Sequence, residues 1–161
     1  MDEQEYQRQI STCLPMLYRT ARAVLRNDAD CADAVQEAIF QGWRKRRQLR
    51  DSARFQAWML RITVNECRNL QRRSMKQLRA VNAAIDEMRA AHSARGPNEE
   101  LEAALSELPE KYRLPIVLHY IEGYATREIA EIMQIPEGRL RERMRTARQR
   151  LGRMLDHEAN G

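Results

Sequence analysis

The sequence predicts an all-α protein of two small helical bundles joined by a flexible linker, the C-terminal bundle a helix-turn-helix. Three observations carry this. Only six of the 161 residues are Gly and five are Pro, while Ala, Leu, Arg, Glu, Gln and Met, the better helix formers, dominate. Apolar residues recur at three- and four-residue steps in both the N-terminal and C-terminal parts of the chain. Between them, from about Ser74 to Asn98, runs a stretch of small and polar residues with weak periodicity and the only Gly-Pro dipeptide, Gly96-Pro97.

The first helix is marked by Leu14, Leu17, Tyr18, Ala21, Val24 and Leu25. Asn27-Asp28-Ala29-Asp30 reads as its end and the cap of the next. Ala34, Val35, Ala38, Ile39 and Trp43 repeat the pattern in a second helix, with Asp33 and Glu37 near its polar side. The basic run Arg44-Lys45-Arg46-Arg47 follows directly. Asp51-Ser52 is expected to cap a third helix carrying Phe55, Trp58, Met59 and Ile62 inward and continuing through Asn65, Arg68 and Asn69 to Arg72-Arg73. The linker is placed at residues 76–98, helical in part because Met75–Met88 lacks breakers, between domains at 1–75 and 99–161.

Asn98-Glu99-Glu100 reads as a cap and acidic first turn, opening a stripe of Leu101, Ala104, Leu105 and Leu108 that Pro109 closes. Pro115 is expected in the first turn of the next helix, with Ile116, Val117 and Tyr120 inward and Gly123 at its end. Thr126 is expected to cap a short helix bearing Ile129, Ala130, Ile132 and Met133. After Gln134-Ile135-Pro136 comes a long Arg-rich helix with Leu140, Met144, Ala147, Leu151 and Leu155 inward. Each half is a small bundle with a modest core.

Charge and composition narrow the function classes. The 28 Lys and Arg exceed the 23 Asp and Glu by a formal +5, so their placement matters more than the excess. No apolar run approaches the ~20 residues that span a bilayer, and the start, Met1-Asp2-Glu3-Gln4-Glu5, is unlike a signal peptide. A cytoplasmic location without direct membrane insertion is expected. Cys13, Cys31 and Cys67 form no C-x-x-C pair, and His92, His119 and His157 stand far apart, so idle buried thiols are expected and no metal or cofactor. Neither paired carboxylates in a credible pocket nor a phosphate-cradling Gly loop is visible, so no catalytic residue is assigned and no enzyme activity is expected.

A short helix, a tight turn and a long basic helix form the layout of a helix-turn-helix. Arg139, Arg141, Arg143, Arg145, Arg148, Arg150 and Arg153 share the last helix with a single acid, Glu142, in that span. Such a helix repels itself unless it meets an anion, and the major groove of DNA accepts one α-helix. Residues near its N-terminus then reach base edges and later arginines reach phosphates. A lone basic amphipathic helix also suits a membrane surface or a helix-binding protein, but the preceding helix and turn favour DNA.

Leu108-Pro109-Glu110-Lys111-Tyr112-Arg113, Tyr120-Ile121-Glu122-Gly123-Tyr124, Glu128-Ile129-Ala130 and Ile135-Pro136-Glu137-Gly138 resemble the C-terminal module of the extracytoplasmic-function (ECF) sigma factors of the sigma-70 superfamily. Independently, Asp33-Ala34-Val35-Gln36-Glu37 with Trp43 resembles that family's polymerase-binding helix, and Phe55-Gln56-Ala57-Trp58-Met59-Leu60-Arg61-Ile62 with Asn65 resembles its segment that opens the minus-ten promoter element. The resemblance implies a sigma factor that binds core RNA polymerase and directs initiation at promoters of stress or envelope-response genes. It implies that Asp33, Gln36 and Glu37 dock on the coiled coil of the polymerase's largest subunit. Arg61, Asn65, Arg68, Asn69, Arg72 and Arg73 would meet the minus-ten strand. Thr126, Arg127, Arg139, Arg141, Glu142, Arg145 and Arg148 would meet the minus-thirty-five duplex. By family analogy an anti-sigma factor is a further expected partner.

The sequence departs from the family where Gly-Thr-Val and then Ser-Arg are common; here the stretch is Gly138-Arg139-Leu140-Arg141-Glu142-Arg143. Arg139 and Glu142 thus replace small hydroxyl residues facing DNA, and the family's usual minus-thirty-five sequence is not assumed. Gln134 stands in the turn where Gly is common, so a left-handed backbone there would cost about 1 kcal/mol. A dimeric operator-binding regulator is the rival reading. It accounts for the C-terminal half but leaves Asp33–Trp43 and Phe55–Asn65 without a role, and an apolar dimer seam or a palindromic target would favour it.

Overall fold

The computed structural model describes residues 1–80 and 99–159, with the side chains of 78–80 and 157–159 left aside. Among the described residues the regular structure is helical: α1 (Glu3–Val24), α2 (Asp28–Lys45), α3 (Phe55–Ala80), α4 (Glu99–Glu107), α5 (Glu110–Ile116), α6 (Thr126–Met133) and α7 (Glu137–Ala159). The chain divides into two compact units, one built on α1–α3, the other on α4, α5, most of α6 and α7.

In the first unit the helix ends follow from their caps. The Asp2 carboxylate accepts from the Glu5 N–H at 2.8 Å and opens α1. The Asn27 side chain accepts from the Ala29 and Asp30 N–H groups at 2.8 and 3.2 Å and opens α2. Asp51 caps a short 3-10 turn, Ser52–Arg54, that leads into α3. Each takes up donors that a helix start leaves without partners.

The three helices pack pairwise around Leu17, Ala21 and Val24 of α1, Ala34, Val35 and Ala38 of α2, and Phe55, Met59, Leu60 and Val64 of α3. Of the apolar stripes expected here, Leu14, Tyr18, Ile39, Trp43 and Trp58 are half-buried rather than fully enclosed. The tightest point joins all three helices. The Tyr6 hydroxyl donates to the Ile39 carbonyl at 2.6 Å, and the Tyr6 ring meets Trp43 and Phe55 edge-on at 5.4 and 5.6 Å. A β-carbon on Gly42 would stand 2.6 Å from that hydroxyl and 2.7 Å from the Met59 sulfur, so only glycine lets these side chains approach α2.

Cys13, Cys31 and Cys67 are buried, as expected. Burial pushes the Cys13 and Cys31 thiols up to about 11, which keeps both protonated near neutral pH.

α3 continues to Ala80, so residues 76–80 of the expected linker are helical. The remainder of that linker, 81–98, including the expected cap Asn98 and the distal part of Met75–Met88, lies outside the described residues.

In the second unit Leu105, Leu108, Leu114, Leu118, Ile129, Leu140, Met144 and Ala147 form the core. Leu151 and Leu155 of α7 are half-buried, and Leu101 is exposed, contrary to its place in the expected stripe. Leu101 lies in the first turn of a nine-residue helix whose buried residues are Ala104 and Leu105. Arg113 is buried and donates to the Leu108 carbonyl at 2.9 Å and the Ser106 carbonyl at 3.3 Å, closing the end of α4.

Three local expectations are corrected. Pro115 is not in a first turn: α5 starts at Glu110 after Pro109, so Pro115 is its sixth residue. Lacking an N–H, Pro115 cannot bond back one turn, and the backbone register loosens just after it into a π turn, Val117–Ile121, closed by the Glu122 N–H on the Val117 carbonyl at 3.1 Å. The wider turn brings Leu118 inside and leaves Tyr120 exposed rather than inward. Thr126 is the first helical residue of α6, not its cap. Ala125 holds the cap position, its carbonyl accepting from Ile129 and its N–H donating to the Glu128 carboxylate at 2.9 Å.

The expected strain at Gln134 is present. Its φ is 56°, and the Gln134 and Ile135 N–H groups bond to the Glu131 and Ala130 carbonyls. That is a Schellman ending with glutamine where glycine is favoured.

Candidate docking groove and nucleic-acid interfaces

Asp33 and Gln36 are exposed on α2 and Glu37 is half-buried, its carboxylate accepting from the Gln41 amide at 2.8 Å. The three line a shallow groove of about 290 Å³, whose other wall is Glu66, Leu70 and Arg73 of α3. Three carboxylates at one groove give it the character to take a cationic side chain. Glu66 went unnoticed in the sequence because it joins the other two only through α2–α3 packing, which no spacing along the chain reveals.

Arg61, Asn65, Arg68 and Arg72 follow one another on α3 at steps of four, three and four, so they form one stripe, with Asn69 and Arg73 on its flank. Asn65, Arg68 and Asn69 are half-buried, while Arg61, Arg72 and Arg73 are exposed. The Arg72 guanidinium donates to the Asn69 amide oxygen. Arg73 lines one surface depression with Asn69 and Arg72 and also borders the acidic groove. Near the end of α2, Arg46 stacks on the Trp43 ring with its guanidinium carbon 3.6 Å from the ring centre, and it donates to the Trp43 carbonyl at 2.8 Å.

In the second unit Arg127 lies exposed on α6 and Thr126 is half-buried beside it. Arg139, Arg141, Glu142, Arg145 and Arg148 are all exposed on α7, away from the buried Leu140, Met144 and Ala147. At about 100° per residue, Glu142 and Arg145 point opposite the buried stripe, Arg141 and Arg148 edge it on one side, and Arg139 and Arg150 lie towards the other. Arg141 is held by Glu137, one turn back, through an ion pair of 2.8 Å. That pair is an ordinary i, i+4 spacing. α5 and the turn after it brace two further arginines: Arg150 lies 4.7 Å from the Tyr112 ring centre, and Arg148 donates to the Tyr120 hydroxyl at 3.4 Å.

Among the described residues no group of three or more His, Cys, Asp or Glu is placed to hold a metal ion, and no helix is long and apolar enough to cross a membrane.

Comparison with known proteins agrees with this layout. Residues 10–77 match the model of sigma-70 region 2, and residues 98–151 match that of sigma-70 region 4. The chain is 30% identical over 149 residues to the ECF RNA polymerase sigma factor SigM of Mycobacterium tuberculosis, covering 90% of this chain and 74% of SigM. It is 29% identical over 137 residues to the ECF RNA polymerase sigma-E factor of Escherichia coli, covering 74% of this chain and 71% of that protein. In fold it is similar to the sigma factor RpoE of Bartonella quintana, solved in complex with the anti-sigma factor NepR, with a TM-score of 0.80 at 21% identity over 96% of this chain and 98% of that one. With both regions matched in order and a relative at this identity aligned over most of its length, the chain belongs to the sigma-70 family, among the ECF RNA polymerase sigma factors.

Proposed function

We propose a residue-level division of labour within the sigma-factor role of binding core RNA polymerase and directing promoter-specific initiation. Asp33, Gln36 and Glu37 dock on a basic surface of the polymerase's largest subunit. Arg61, Asn65, Arg68, Asn69, Arg72 and Arg73 hold the unstacked strand of the minus-ten element, where polar edge contacts and backbone charges are both needed. α7, with Thr126 and Arg127, reads the minus-thirty-five duplex. Residues 1–75 and 99–161 act as the two working domains and 76–98 spans the spacer. The chain works in the cytoplasm, without chemistry of its own, on stress or envelope-response promoters.

The observation that supports this most is the grouping of side chains in the first unit. Asp33, Glu37 and Glu66 meet at the α2–α3 groove, Arg61, Asn65, Arg68 and Arg72 run in one stripe along α3, and Arg73 stands at the border of the groove. The test is a pair of variants assayed for core binding and for promoter melting. Asp33→Lys with Glu37→Lys should lose core polymerase. Asn65→Ala should keep core polymerase but fail to open the promoter. Equal loss of both properties in both variants would refute the division.

An anti-sigma protein covering the docking and DNA-reading faces is also proposed, by analogy with the complex in which the Bartonella relative was solved. Recovery of the tagged chain from its host, under uninduced conditions, with core polymerase as its sole stoichiometric partner would count against it.

A further inference from the structure

Tyr120 is a large side chain that the core does not use. It is 58% exposed, on a turn where the helical pattern pointed it inward. Its placement is nonetheless defined. The His119 ring meets it edge-on at 4.8 Å, and His119 is itself tied by its Nδ1 to the Tyr124 carbonyl at 2.8 Å. The phenol end reaches α7, where its oxygen accepts from the Arg148 guanidinium at 3.4 Å. Arg148 lies on the same edge of α7 as Arg141, seven residues and about 10 Å further along. With a recognition helix in the major groove, the edges of the helix face the phosphate walls while its outer face meets the bases.

We propose that Tyr120 and Arg148 form a two-residue clamp for one DNA phosphate, the phenol O–H donating to one oxygen and the guanidinium to another. This rests on the reading of α7 as the duplex-reading helix. The chemistry suits the pair. Arg148 supplies charge and several donors, whereas the phenol supplies one neutral donor from a different element, fixing where along α7 the phosphate sits. The 3.4 Å contact in the free protein is long for a hydrogen bond involving a guanidinium. The two groups therefore lie close enough to share a third partner without being locked to each other. His119 acts as a positioning residue for the ring.

The experiment uses the full chain bound to core RNA polymerase. Its probe is the best-bound duplex recovered from a random-sequence pool, compared with the same duplex carrying one neutral methylphosphonate at each position in turn. Tyr120→Phe removes only the hydroxyl and should weaken binding about tenfold, equally on all sequences and without altering the salt slope, since a neutral donor releases no counterion. Arg148→Ala should lower that slope by about one unit. One phosphate should emerge whose neutralisation weakens the unaltered complex but adds little to either variant.

Tyr120→Phe binding as well as the parent chain, while Arg148→Ala still lowers the slope, would overturn the clamp and leave the reading of α7 standing. Loss of core polymerase affinity by Tyr120→Ala with duplex contacts intact would reassign this surface to a protein partner and also overturn it. If the parent complex selects no duplex at all, the reading of α7 fails and the clamp fails with it.

Discussion

Replacing Gly42 by alanine sets two effects of known size against each other. Gly42 lies inside α2, and alanine there favours the helix by about 1 kcal/mol. Against this, the new β-carbon would sit 2.6 Å from the Tyr6 hydroxyl and 2.7 Å from the Met59 sulfur. Overpacking of this kind costs about 1–3 kcal/mol. Displacing Tyr6 also breaks its 2.6 Å bond to the Ile39 carbonyl and strands a buried hydroxyl, for about 1–3 kcal/mol more.

Met59 is flexible and recovers part of the strain, so the net expectation is a loss of about 1–3 kcal/mol. For a unit of this size that lowers the melting temperature by roughly 5–20 °C. Both tryptophans, Trp43 and Trp58, lie in this unit, and Trp43 packs against Tyr6, so tryptophan fluorescence in urea reads the unit directly. A Gly42→Ala variant as stable as the parent would refute the claim that close approach at Gly42 holds the three helices together. Tyr6→Phe, which loses the hydroxyl but keeps the ring, should partly rescue Gly42→Ala.

Two further outcomes follow from local chemistry. Gln134→Gly removes the left-handed strain at φ 56° and should stabilise the fold by about 1 kcal/mol, seen as a higher midpoint in thermal melts followed by far-UV circular dichroism. No gain would mean the turn is not strained. The Cys13 and Cys31 thiols, raised from an ordinary 9.0 to about 11, contribute stability that is fully present below pH 9 and is lost as pH rises towards 11, because the unfolded thiols ionise first. Urea midpoints should therefore hold level from pH 7 to about 8 and fall above 9, and the fall should shrink in a Cys13→Ala, Cys31→Ala variant.

Much of this architecture was legible from periodicity and caps, and the misses have identifiable causes. Asn27 and Asp51 were readable as caps because an Asx side chain before an apolar repeat has few other uses. Gln134 was readable as strained because it stands in a turn where the family it resembles commonly has Gly, the residue that takes a left-handed backbone without cost. Tyr120 was misplaced because a π turn inserts an extra residue into the repeat, and the helix start expected at Pro115 lies at Glu110. Tyr6 was not recognised as core since it lies in a polar stretch, and its burial depends on Gly42 from another helix.

The candidate site divides in the same way. Stripes within one helix, such as Arg61–Asn65–Arg68–Arg72, follow from spacing. Glu66 in the groove and Tyr120 beside Arg148 are products of packing between helices.

The central claim is tested most directly by transcription with purified bacterial core polymerase, with and without the chain, on a pool of promoter fragments from the host genome. The account predicts specific start sites that appear only when the chain is present, and these would reveal the promoter it reads. Sequence-specific duplex binding by the chain alone, with no specific transcripts from the polymerase mixture, would contradict it and favour a dimeric operator-binding regulator.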